Sequence, residues 1–145
     1  MPLLFPLLLA AAVAAPPGRV AIGQYGAWGA FADARGRSCY AIAMPARGAG
    51  GSVAAVAPPG RPRVELRPSR PARPGSLSVR VDGRALAFDG PSPAIEGRAA
   101  IVALRGGTRL RVSGTTAEGR RFRDDYPLRG FASALDAATL ACLAR

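Results

Sequence analysis

Few residues in this chain have side chains that could do chemistry: two cysteines, nine carboxylates and twenty arginines, with no histidine and no lysine. Without histidine the usual general base is missing, which excludes Ser–His–Asp and Cys–His nucleophilic sites. Asp124 and Asp125 are the only adjacent carboxylates. On a strand, neighbouring side chains point to opposite faces, so the two would not share a substrate. With Arg121 and Arg123 beside them, they read as a solvated charge pattern. The run Gly48 to Gly51 is glycine-rich, but no Lys-Ser/Thr follows it and no strand–loop–helix context surrounds it, so it is not a phosphate loop. No catalytic residue and no cofactor are expected, and the chain reads as a non-enzyme.

The cysteines, Cys39 and Cys142, lie far apart in the sequence. With no histidine and no CxxC spacing, neither a zinc site nor a thioredoxin-like motif can form, and no metal is expected. Two readings remain: a long-range disulfide, suited to an exported protein, or two buried free thiols. A bridge closing so long a loop stabilises by roughly 2–5 kcal/mol, mainly by restricting the unfolded chain.

The arginines give a formal net charge of +11. Such a surface concentrates anionic partners around it: lipid headgroups, lipopolysaccharide, acidic glycans or nucleic acid. A second reading is compositional, since Ala, Gly, Pro and Arg are what a GC-rich coding sequence supplies by default. The densest cluster is Arg61, Arg63, Arg67, Arg70 and Arg73, interleaved with prolines at 62, 68, 71 and 74. Guanidinium groups bind phosphate and carboxylate through paired hydrogen bonds, and prolines reduce the entropy lost on ordering. The five are therefore candidate anion-binding residues in an exposed loop of polyproline character, alongside a purely solubilising reading. No aromatic residue is interleaved with them, which argues against nucleic acid.

The elements that must position these residues are short. Residues 1–14 read as a signal peptide. Leu3 to Ala15 is uncharged, but its 13 residues fall short of the roughly 20 needed to span a bilayer, and Ala12-Val13-Ala14 is an acceptable cleavage pattern. Pro6, Pro16 and Pro17 argue against a buried helix there. The remaining chain, 15–145, is expected to be one domain in the periplasm or secreted, with no stable membrane span. Its alternating pattern predicts a strand over Gln24 to Phe31, a turn at Asp33 to Gly36 and a returning strand from Cys39 to Met44. A short strand follows at Ser52 to Ala57, with a brief edge pairing at Val64 to Leu66. Leu77 to Phe88 is a hairpin about Asp82-Gly83, a dipeptide that favours a type I′ turn. Ala94 to Arg105 predicts a helix burying Ile95, Ala99 and Val102. Thr108 to Ser113 and Arg121 to Leu128 are strands, the second near an edge because of Pro127. Asp136 is expected to cap a last helix, Ala137 to Ala144, that buries Leu140, Cys142 and Leu143. Seven or eight such strands imply a mainly β fold: an antiparallel two-sheet sandwich with a short central helix and a C-terminal helix. Trp28, Tyr40 and Phe131 are the expected core aromatics.

Two stretches resemble the invasion-associated locus B family of exported bacterial proteins. They are Tyr25-Gly26-Ala27-Trp28 followed by Cys39-Tyr40-Ala41-Ile42, and Tyr126-Pro127 leading into Leu128-Arg129-Gly130-Phe131 with Ala134-Leu135. The family has an aromatic-Gly-x-Trp start, a cysteine strand soon after, and a Leu-x-Gly-Phe-x-x-Ala-Leu close. Members often carry a cysteine four residues after the tryptophan. Here that position is Ala32, which leaves Cys142 as the only partner for Cys39. The resemblance implies a divergent, periplasmic or surface-associated β-rich protein, linked in some members to host-cell invasion. It brings no catalytic residues. The partner that the basic charge suggests is an anionic component of the envelope or of a host surface.

Overall fold

In the computed structural model, residues 18–33, 35, 38–44, 50–57, 61–87 and 94–144 are described. The predicted signal peptide, the Gly48-Ala49 part of the glycine run and much of the turn after Asp33 lie outside them. The element order is β1 (Arg19–Tyr25), β2 (Trp28–Asp33), β3 (Cys39–Ala43), β4 (Ser52–Val56), β5 (Arg63–Arg67), β6 (Ser78–Val81), β7 (Arg84–Ala85), β8 (Ala94–Glu96), α1 (Arg98–Gly106), β9 (Arg109–Thr115), β10 (Arg121–Pro127) and α2 (Phe131–Leu143). All pairings are antiparallel, in a six-stranded sheet ordered β1-β2-β3-β4-β5-β8 and a four-stranded sheet ordered β10-β9-β6-β7. The fold is thus mainly β, two antiparallel sheets with a central and a C-terminal helix, as the sequence predicts.

The core follows from alternation. Trp28, Ala30 and Ala32 of β2, Cys39, Ala41 and Ala43 of β3, Val53 and Ala55 of β4, and Val64 and Leu66 of β5 share the buried face of the larger sheet. Small alanines on β2 and β3 let α2 lie close across these strands, and its Phe131, Ala134, Leu135 and Ala138 are buried there. The smaller sheet contributes Val79, Val81, Leu110, Val112 and Tyr126 to the same core.

Five local expectations need correction. The predicted strand over Gln24 to Phe31 is two strands: Gly26, at φ +57, turns the chain at Gly26-Ala27, and Tyr25 pairs with Trp28. Val64 to Leu66 is no edge; β5 lies between β4 and β8, because residues 94–96 return as a strand where a helix is predicted. The helix there begins only at Arg98, burying Ala100 and Leu104, while Ala99 and Val102 are exposed. Asp136 caps nothing. Gly130, in left-handed conformation, precedes a helix that already starts at Phe131, and Asp136 sits on its exposed side, 2.6 Å from Arg105 Nη2. Leu140 and Leu143 are exposed, and only Cys142 of the predicted trio is buried. The Asp82-Gly83 turn is as predicted, both residues having positive φ (49° and 83°) as a type I′ turn requires.

Candidate functional site

Cys39 and Cys142 are joined in a disulfide with Cα atoms 5.9 Å apart, and no described cysteine is free. The bridge ties β3 to the last turn of α2. Next to this tie, the two motif stretches meet. Trp28 Nε1 donates to the Pro127 carbonyl at 2.8 Å, and the Trp28 and Phe131 rings contact edge-to-face with centroids 4.9 Å apart. Backbone approaches backbone so closely that a Cβ on Gly26 would lie 2.7 Å from the Arg129 carbonyl oxygen, and one on Gly130 would overlap the Tyr25 carbonyl. Trp28 and Phe131 are fully buried. Tyr40, the third predicted core aromatic, is instead on the outer face, half-buried, where it stacks on Phe31 and lies under the Arg19 guanidinium. Burial pushes its phenol above the usual range, with Arg19 pulling the other way.

Asp124 and Asp125 point to opposite faces, but neither is solvated. Asp124 is fully buried and accepts from the Ser69 backbone N–H at 2.8 Å and from the Ser69 hydroxyl. It thereby pins the segment leaving β5 onto β10. Asp125, nearly buried on the other face, takes Arg111 Nε at 2.8 Å and Arg123 Nε at 3.2 Å. Tyr126 is buried beside Asp124, and its hydroxyl has no hydrogen-bond partner among the described residues. Burial, reinforced by the Asp124 charge, holds its phenol far above the ordinary value.

The five arginines singled out by sequence do not converge. Arg63 and Arg67 project from β5 onto the outer face of the larger sheet, around a shallow cleft of about 460 Å³ that Arg19, Tyr40, Ile42 and Met44 also line. Arg63 is engaged by Glu65 at 2.8 Å, an exposed pair. Arg70 and Arg73 belong to a different cleft, with Pro71, Thr116, Glu118 and Arg120. Arg61 is exposed and lines neither. Nor is the segment a free loop. It is held at Ser69, at the Arg73 N–H donating to the Thr115 carbonyl (2.9 Å), and at the Ser76 hydroxyl donating to that same carbonyl (3.0 Å). Arg19, which sequence reasoning passed over, lines the same cleft as Arg63 and Arg67 because all three lie on the outer face of the larger sheet, although β2, β3 and β4 separate β1 from β5. Among the described residues no group of Cys, Asp and Glu could hold a metal ion. No described helix is long and apolar enough to cross a membrane. No family model, curated protein or solved structure matches this chain.

Proposed function

We infer that the chain is an exported, non-catalytic β-sandwich module that acts through its surface in the cell envelope or against a host surface, as a divergent relative of the invasion-associated locus B proteins. The observation that carries this is the joint between the two stretches on which the resemblance rests. Tyr25–Trp28 and Pro127–Phe131, about a hundred residues apart, fold against one another and are tied by Cys39–Cys142. The rare residues are thereby consumed in packing rather than in a reactive site. A disulfide also suits an oxidising compartment. Cell fractionation with N-terminal sequencing tests export: a mature chain starting near Ala15 in the periplasm or medium is expected, and an uncleaved cytoplasmic chain overturns it. Deleting the gene tests the role, with impaired envelope integrity or host-cell entry expected and neither affected if the reading is wrong.

A second reading, a periplasmic binding module for an anionic ligand, is favoured by the exposure of Arg61, Arg67, Arg70 and Arg73. Among the described residues, only Arg63 of the predicted five is in an ion pair. Retention on heparin at graded salt tests it, and a wild-type chain that fails to bind at low salt ends it.

A further inference from the structure

The outer face of the four-stranded sheet carries a second set of arginines, which the strands hold on one face. Alternation puts Arg109 and Arg111 of β9, Arg121 and Arg123 of β10, and Arg80 of β6 on the side opposite buried Leu110, Val112, Phe122, Asp124, Tyr126 and Val79. Register then assembles them. Arg80 pairs with Arg111, which pairs with Asp125, and Arg123 pairs with Ser113. Arg121 and Arg109 lie at opposite ends of the β9–β10 ladder, so the band runs obliquely over about 20 Å at roughly 3.4 Å per residue.

Two carboxylates, Asp125 and Asp82, accompany these five arginines and offset two of their charges, which leaves the band at a formal +3. Asp125 is shared between Arg111 and Arg123, its Oδ1 2.8 Å from Arg111 Nε and its Oδ2 3.2 Å from Arg123 Nε, so one carboxylate serves two guanidinium groups. Asp82 is taken up in the hairpin turn, accepting the Thr108 and Arg109 backbone N–H groups at 2.9 and 3.0 Å. Like charges directly opposite on adjacent strands are destabilising, yet the register sets Arg80 against Arg111. Arg80, Arg109, Arg121 and Arg123 are exposed, and Arg111 is half-exposed.

We propose that this face is a binding surface for an extended acidic polysaccharide. The proposal rests on the anion-binding reading above and relocates it from the 61–73 segment to the sheet. The chemistry of the face selects among anionic polymers. It presents Ser78, Ser113 and Thr115 between the guanidinium groups, with no aromatic platform for unstacked bases among the described residues. Among the described residues it has no exposed large apolar side chain to anchor in a bilayer. Its charges are spread along about 20 Å of sheet and extend beyond the small cleft that Arg80, Arg109 and Arg111 line, which matches a chain of repeated carboxylates or sulfates better than one compact anion.

The test measures binding of full-length mature protein to heparin and to polygalacturonate across a salt series. A sheet variant, Arg80→Ser/Arg109→Ser/Arg121→Ser, is compared with a loop variant, Arg61→Ser/Arg70→Ser/Arg73→Ser. Neither touches the Asp125 pairs, and unfolding midpoints check that both remain folded. The sheet variant is expected to lose about tenfold or more in affinity and to flatten the salt slope by about three charges. The loop variant should stay within about twofold of wild type. A lysine version of the sheet variant should keep most of the salt slope. Loss in the loop variant alone overturns the sheet assignment and leaves the anion-binding reading standing; no binding by the wild type overturns both. Equal or tighter binding to phosphatidylglycerol vesicles or duplex DNA overturns the polysaccharide assignment.

Discussion

Two joints hold the molecule together, and they are built from opposite materials. At the first, Trp28, Phe131 and the Cys39–Cys142 bridge pack an apolar contact in which two glycines let backbones touch. At the second, a buried carboxylate, Asp124, grips both the N–H and the hydroxyl of Ser69. The apolar joint gains from desolvation, so any loss of fit there is lost stability. The polar joint gains little over water but is costly to leave half-made, because the remaining buried partner goes unsatisfied. The first should therefore set stability and the second should set where the 67–76 segment lies.

Gly130→Ala breaks the apolar joint most severely. It adds a Cβ where the Tyr25 carbonyl already sits, at a φ of +91 that L-residues avoid, and about 3–5 kcal/mol should be lost in urea unfolding. Replacing both cysteines by serine should cost roughly 2–4 kcal/mol, and reduction of the wild type should reproduce the loss. A wild type indifferent to reductant would remove the covalent tie from this account. Asp124→Ala should cost less, about 1–3 kcal/mol, while raising proteolysis and amide exchange in residues 67–76. Unchanged exchange there would mean that the polar joint does not position the segment.

The smallest effect sharpens the contrast inside the polar joint. Tyr126 holds its proton more tightly folded than unfolded. Its contribution is intact below the ordinary phenol value near 10.0 and is lost as the unfolded chain ionises above it. Stability should fall above pH 10, and Tyr126→Phe should flatten that limb while changing neutral-pH stability by under about 1 kcal/mol, since no hydrogen bond is lost. A steeper alkaline limb in the variant would contradict this.

What could be read from sequence was what is local. Asp82-Gly83 specifies its own turn, and the alternation of Cys39 to Ala43 specifies a strand but not its buried face, since Tyr40, expected in the core, lies on the outer side. The two-sheet class followed from strand spacing. What escaped depends on partners distant in the chain. Asp124 looked solvated because its neighbours are arginines, whereas the groups that satisfy it belong to Ser69. Asp136 looked like a cap because it precedes an alanine run, whereas Gly130 starts the helix six residues earlier, where Tyr25 and Gly26 abut it. The proline-spaced arginines stood out as a string, yet β5 and its pinned exit send them to separate surfaces. The R-x-R pairs of β9 and β10 were visible singly, but the pairing of β6 with β9 that adds Arg80 was not.

The apolar joint also imposes an order of events. The partner of the first described hairpin lies about a hundred residues further along the chain, so Trp28 stays without its cover until residues 127–142 are available. Contacts of such long sequence separation form slowly and late. The core therefore cannot be completed before residues 127–142 have been made, and the Cys39–Cys142 bridge can close only after them. Indole fluorescence of chains truncated before Phe131 would record this directly: emission should remain that of a solvated tryptophan until the final helix is restored.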